Sequence, residues 1–326
     1  MSSPHSSRSN VTRGYSIAML AAVILSTTAI FIRYLTQTYH LPALVLSFWR
    51  ELFVALTLTV ILAIVRPALL RIKRQHLFFL IAFGLVLAAF NSTWALSVTL
   101  NGASVSTVLA YCSTAFTALL GWLFLKERLN WVKLLAVVFS LVGCVLVSGA
   151  YRAAVWQANL LGIFVGVVSG LCYAVYSIMG RSAFQRGLNP WTTLLYAFGF
   201  AACFLFTLNL TVGRFLPGGA VHPADLFWLQ SALAGWGVLF LLAALPTLSG
   251  LGLYNVSLSL LPSSVANLIV TLEPVYTAIL AYFIFGEVLT LIQLTGGLLI
   301  LSGVVLLRIF EGAPALQSQP ALQADA

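Results

Sequence analysis

The sequence predicts an all-α membrane protein of about ten transmembrane helices, built as two inverted five-helix repeats. Three observations carry this reading. Of the 326 residues, 61% are hydrophobic and only 7% charged, whereas a soluble domain carries about 25% charged residues. Two stretches, 77–125 and 226–272, contain no Asp, Glu, Lys, Arg or His. The chain also aligns with itself: shifted by 160 residues, 103–146 falls on 263–306 without a gap. Lipid offers no partner for free backbone groups, so a span must be a helix or part of a closed barrel. Barrel strands alternate polar and apolar residues. The runs here are continuous.

Taken in order, the first apolar run, 14–36, follows a Ser-rich start containing Arg8 and Arg13. It is too long for a leader's apolar core and lacks a clear small-x-small cleavage site, so it reads as a span. The second, 42–65, carries Arg50 and Glu51 about a third of the way in. The uncharged stretch 77–125 is long enough for two spans of about 20 residues, read as 77–100 and 102–125. A charged step at Lys126, Glu127 and Arg128 precedes the fifth, 131–150. The second half repeats the plan with 158–180, 189–212, 236–260, 263–286 and 289–308. Between 217 and 235, Pro and Gly residues with Asp225 and Trp228 are read as an interfacial helix leading into the eighth span.

The repeat is specific. The 160-residue shift pairs Ser104 with Ser264, Thr117 with Thr277, Glu127 with Glu287 and Gly143 with Gly303. Earlier in each half, a shift of 148 residues pairs Gly14, Ala18, Ala22 and Ser26 with Gly162, Gly166, Gly170 and Ala174. Small residues at four-residue spacing let membrane helices approach backbone to backbone. The expected division is a cytoplasmic tail 1–13, a first repeat 14–150, a linker 151–157, a second repeat 158–308 and a disordered tail 309–326. Five spans is an odd number, so the second repeat enters from the opposite side. Inverted repeats of this kind place a substrate site near the midplane.

With the N-terminus inside, the inner side carries Arg8, Arg13, Arg66, Arg71, Lys73, Arg74, Lys126, Arg128, Lys133, Arg181, Arg186 and Arg308. The outer side carries Arg33, Arg152 and Arg214. The positive-inside rule then makes both termini cytoplasmic in a plasma (inner) membrane. It also accounts for the net charge of +9 without nucleic acid, since the basic residues form no continuous face. Cys112, Cys144, Cys172 and Cys203 lie in apolar runs without metal-ligand spacing and read as buried thiols. No GxxxxGK[ST], HExxH or GxSxG motif occurs, so neither a cofactor, a metal nor an enzymatic centre is expected.

The Glu273-Pro274 pair in the ninth span, the Gly286-Glu287 and Lys126-Glu127 steps before the last helix of each half, and Phe48-Trp49-Arg50-Glu51 in the second resemble the EamA family of the drug/metabolite transporter superfamily. The resemblance covers nearly the whole chain as two EamA-like repeats. It departs where Ser113-Thr114 stands opposite Glu273-Pro274. It implies exporters and permeases for amino acids, related metabolites and toxic compounds.

Charges within spans are costly, about 2.5–3.5 kcal/mol at a helix centre on insertion scales, so those retained are informative. Arg50 is a candidate for meeting an anionic substrate group, with snorkelling to the interface as the structural alternative. Glu273 lies mid-span, where snorkelling is difficult, and its alternative is a structural hydrogen bond. Pro274 removes a backbone donor and is the expected hinge. Glu127 and Glu287 read as structural helix-end residues that cap or anchor the following helix. Asn91, Trp94, Tyr111, Tyr173, Tyr176, Tyr254, Asn255 and Asn267 are candidate cavity lining, each weighed against simple helix packing. The expected function is a secondary transporter that moves a small metabolite by alternating access, surrounded by membrane lipid and of undetermined oligomeric state. A lipid-carrier flippase is the second reading, an intramembrane enzyme the third, and a receptor or scaffold the fourth.

Overall fold

The computed structural model describes residues 4–153, 159–286 and 290–311. Among them, nine helices are long and apolar enough to cross a membrane. They are α1 (Val11–Tyr39), α2 (Ala43–Val65), α3 (Arg74–Leu100), α4 (Val105–Leu125), α6 (Leu160–Gln185), α7 (Pro190–Thr211), α8 (Leu233–Leu260), α9 (Ser263–Ile284) and α10 (Leu291–Phe310). The shorter apolar helix α5 (Trp131–Val147) completes the set. The described residues contain no strand.

Local chemistry sets several starts. Asn130, Asn159 and Asn189 each turn a side-chain oxygen onto an N–H at the beginning of α5, α6 and α7, at 2.8–2.9 Å. This answers donors that have no intrahelical partner. The first helix begins earlier than expected, at Pro4. Proline is tolerated there because the first turn does not use its missing N–H. The expected tail 1–13 is therefore largely helical, while residues 154–158 of the linker region and 312–326 of the C-terminal tail lie outside the described residues.

Backbone from Leu77 to Tyr111 is helical throughout, yet it is not one rod. Ser97 Oγ lies 2.8 Å from Ser106 Oγ. Nine residues of straight helix would separate them by about 13 Å, so α3 and α4 fold back on each other between Leu100 and Val105. Both α4 and α9 are also interrupted. A turn at Cys112 divides α4, and turns at Thr271 and Leu272 divide α9. Cys112 and Leu272 are matching positions in the 160-residue register. In α9 the break directly precedes Glu273-Pro274, where the proline leaves the Val270 carbonyl without its usual donor. In α4 the break forms without a proline, and Thr114 Oγ1 turns back onto the Tyr111 carbonyl at 3.0 Å. Pro246 likewise shifts Ala243–Gly250 of α8 to π-helical bonding, the wider ladder that accommodates a missing donor.

Glycines place the helices. A Cβ on Gly143 of α5 would lie 2.6 Å from the Gly296 carbonyl of α10, and one on Gly303 would lie 3.0 Å from the Ala136 carbonyl. Gly143 matches Gly303, and Ala136 matches Gly296, in the same register. The α5–α10 interface is thus one contact made twice. The small-residue stripe of α6 faces α3 and α4: Ser97 Oγ donates to Gly162 O at 2.9 Å, and Gly166 and Gly170 pack on Leu109 and Ala110. In α1, Gly14 packs on Leu260 and Leu261 at the end of α8.

The connectors rich in basic residues share one face of the bundle. Arg308 Nη2 donates to Thr12 Oγ1 at 2.9 Å, joining the last helix, α10, to the first. Arg186 covers the Phe79 ring at 4.5 Å, and Tyr196 OH donates to Leu70 O at 2.7 Å. On the opposite face, 217–235 forms no interfacial helix. It holds a single five-residue 3-10 turn, Pro223–Phe227, capped by Asp225, which accepts from Val221 and His222 N–H. Gly218, Gly219 and Pro223 break any longer run. Trp228 and Trp49 pin this segment by donating to Tyr39 O and Leu226 O.

Candidate functional site

The interior polar residues gather in three adjoining groups. The first joins α2 to α3. Arg50 is 8% exposed, Glu51 0% and Asn91 2%, so the α2 charges are enclosed by protein and do not snorkel. Arg50 Nη2 donates to Glu51 Oε1 at 3.1 Å and also to Asn91 Oδ1. Asn91 Nδ2 donates to the same Glu51 oxygen at 2.8 Å and to Leu87 O at 3.1 Å. The three side chains form a closed triangle. Arg50 Nε and Glu51 Oε2 remain buried without a hydrogen-bond partner.

The second group lies among α3, α4, α6, α8 and α9. Tyr173 stacks on Phe90, Tyr176 and Tyr254, with ring centroids 5.0, 6.1 and 5.9 Å away. The ring edges are tied by amides and hydroxyls. Asn255 Nδ2 donates to Tyr176 OH at 2.7 Å, and Ser177 Oγ lies 2.7 Å from Tyr254 OH. Asn267 Nδ2 donates to Ser177 Oγ at 3.2 Å, and Ser113 Oγ donates to Asn267 Oδ1 at 3.3 Å. Buried Tyr hydroxyls need such partners. Tyr176 also lies within electrostatic reach of Glu51, which brings the first two groups together.

The third group is Glu273, just past the α9 break. The Tyr111 hydroxyl, just before the α4 break, faces its carboxylate, with Cys144 and Tyr173 beside them. Glu273 is half-buried. Its register mate, Ser113, sits in the second group. The two interrupted helices therefore present different chemistry at equivalent points, an acid from one and a hydroxyl from the other. Nearby, Thr271 Oγ1 donates to Ser140 Oγ at 3.1 Å, and Thr277 Oγ1 donates to Ser26 O at 3.1 Å, beside the turn at Thr27 that divides α1.

Of the sequence candidates, Arg50, Asn91, Tyr111, Tyr173, Tyr176, Tyr254, Asn255, Asn267 and Glu273 all belong to these groups. Trp94 is half-buried and, among the described residues, is not joined to them by a hydrogen bond or ring contact. Ser113 and Ser177 were not singled out from the sequence, because serines in apolar runs are too common to mark. Glu127 does cap a helix, but not the following one. Its carboxylate accepts from the N–H and hydroxyl of Ser263, at 2.7 Å each, and from Ser264, so it caps α9, while Asn130 caps α5. Glu287 lies outside the described residues. Among those described, no group of three or more His, Cys, Asp or Glu is placed to hold a metal.

Comparison with known proteins places this arrangement. Residues 12–149 and 160–309 each match the EamA-like transporter family. An uncharacterized transporter of Archaeoglobus fulgidus is 26% identical over 224 residues, covering 68% of this chain and 74% of its own. One from Synechocystis is 28% identical over 220 residues, covering 68% of this chain and 63% of its own. The threonine/homoserine exporter RhtA of Salmonella typhimurium is 26% identical over 243 residues, 74% of each chain. A solved structure with 16% identity superposes with a TM-score of 0.73 over 94% of this chain and 99% of its own, which shows the fold.

Proposed function

The chain belongs to the EamA-like transporter family, and on that footing we propose that it is a secondary transporter for a small amino-acid-like metabolite. The observation that carries the proposal is the polar network just described, set between two interrupted helices at matching positions of the two repeats. A dry bundle has little use for a guanidinium, two carboxylates, four tyrosines and three amides at its core, since each is costly away from water unless partnered. A passing solute with polar groups of its own gives them a purpose.

The division into repeats 14–150 and 158–308 supplies the means of movement. In this reading the halves are related by an axis in the membrane plane, and the two states of alternating access are near mirror arrangements of the same contacts. The doubled α5–α10 contact supports a two-fold relation between the halves. Tyr111 and Glu273 at the paired breaks, with Pro274 as the hinge in α9, form the part of the path that rearranges. Orientation follows the basic face, with both termini in the cytoplasm and the protein in the plasma (inner) membrane. The mixture of stacked rings and amides suits an amphipathic solute, and the exporter among the relatives acts on threonine and homoserine.

The test is flux in proteoliposomes holding the full chain, with labelled L-threonine and L-homoserine first and the remaining amino acids after, under an imposed pH gradient. Saturable flux above empty liposomes is expected for at least one amino acid. Absence of flux across the whole set would remove the amino-acid reading. An unbiased metabolite comparison between cells with and without the protein then identifies the class that accumulates.

A further inference from the structure

Arg50 and Glu51 are adjacent in a helix, where neighbouring side chains point about 100° apart. Their pairing is therefore not the default geometry of the helix. It exists because the guanidinium turns back along α2 and Asn91 of α3 closes the third side. The result is enclosed but incomplete. Arg50 uses one terminal nitrogen for both of its bonds, while its Nε has no partner and one Glu51 oxygen has none. A half-satisfied buried pair is poorer than a fully satisfied one. The edge of a guanidinium formed by Nε and a terminal nitrogen matches a carboxylate in bidentate geometry. Glu51, tethered at the next residue, grips it through a single oxygen.

We infer that Glu51 is a displaceable stand-in for a carboxylate on the transported solute. The solute's carboxylate takes the Arg50 edge in two-point contact, and Glu51 moves off as the neutral acid. The balance is simple. One carboxylate enters the site, and one proton enters with it from water on the open side, forming the Glu51 O–H bond. Arg50 keeps its charge, so the site is neutral before and after. A carboxylate left charged and unpaired in a dry interior would be expensive, and the proton removes that expense. The groups that face Glu51 are Arg50 from its own helix and Asn91 from α3, and Glu51 in turn acts electrostatically on Tyr176 of α6. Through Tyr176 the pair adjoins the tyrosine group, and so the proposed solute path. Asn91 holds either occupant, since its amide donates to a carboxylate from Glu51 or from the solute. The inference rests on the transporter reading and adds to it the place where the solute's carboxylate binds, the group it displaces and the proton that accompanies it.

The experiment uses the full chain in detergent, with sodium formate as the smallest carboxylate probe and sodium chloride at equal ionic strength as its control. In Glu51→Gln the Arg50 edge has no internal anion. Formate is expected to raise Tm by roughly 4 °C over chloride. In the unmodified protein the formate effect should be absent at alkaline pH and grow as pH falls. Arg50→Gln should abolish it in both backgrounds. Formate and chloride acting alike on Glu51→Gln would overturn the inference. Where that variant cannot be recovered folded, the unmodified protein decides alone, and a formate effect that does not change with pH overturns it. Formate stabilisation without amino-acid flux in proteoliposomes leaves this site standing and removes the amino-acid reading; amino-acid flux without a formate effect does the reverse.

Discussion

Glu127 accepts two hydrogen bonds from Ser263, one from its backbone N–H and one from its hydroxyl, each at 2.7 Å across 136 residues of sequence. The same carboxylate reaches Ser264. The α4–α5 connector of the first half thereby caps α9 of the second, the helix that carries Glu273. A carboxylate at a helix N-terminus answers free N–H groups and complements the helix dipole. Glu127→Ala should lower stability by about 1–2 kcal/mol, read as a lower unfolding temperature in detergent. An unchanged unfolding temperature would mean the cap contributes nothing.

The Arg50–Glu51 pair should be strongly coupled. Arg50→Ala leaves Glu51 buried without its cation, and breaking a buried pair from one side costs about 3–5 kcal/mol. Removing both, as Arg50→Leu with Glu51→Leu, should cost less than Arg50→Ala alone. A double-mutant cycle of unfolding measurements on Arg50→Leu, Glu51→Leu and the two combined reads the coupling directly, and additive losses would count against the pair.

Glu273 offers a separate test. In Glu273→Gln the shape and the Tyr111 neighbour are kept while the exchangeable proton is lost. Flux driven by a pH gradient should fall to background, while solute exchange without a gradient continues. A variant with normal expression, stability and pH-driven flux would remove Glu273 from the mechanism. A loss of stability with coupling intact would assign it to packing.

Space at the glycines makes a sharper structural prediction. Gly143→Ala places a methyl carbon 2.5 Å from Ile300 Cγ1 and 2.6 Å from the Gly296 carbonyl. Overpacking of this kind costs about 1–3 kcal/mol, so folded yield and unfolding temperature should both fall. Gly199→Ala, with nothing within 4 Å of the new carbon, should be tolerated. Equal behaviour of the two would show that the α5–α10 contact is looser than described.

Topology is tested at the 2–3 connector. A cysteine replacing Lys73 should resist an impermeant thiol reagent in intact cells and react once the membrane is opened. Labelling in intact cells would reverse the orientation.

The spans were legible because twenty apolar residues have few other uses, and the acid beside Pro274 marked the α9 break because proline lacks a donor. The α4 break was not legible. Cys112 carries no local signal, and its position emerges only when the two halves are laid side by side in three dimensions. Glu127 could be recognised as a capping group, but the helix it caps is distant in sequence, so the following helix was the natural choice and the wrong one. Most of the interior polar residues were found because polarity in an apolar run is visible. Their partners were not, since Ser113 and Ser177 resemble many serines that only turn back on their own helix. Arg50 was identified, but adjacent helical residues do not normally meet, and its bond to Glu51 depends on Asn91 from another helix.

The α5–α10 contact has a historical consequence. In a single half pairing with a copy of itself, one codon would specify both sides of such an interface, and any change there would be felt twice. Joined in one chain, the two sides mutate independently. The sequence already shows such a difference: Ala136 and Gly296 occupy the same place in the two halves, yet one carries a methyl group that the other lacks. Such positions are where a protein built from two identical halves would first have to be made symmetric.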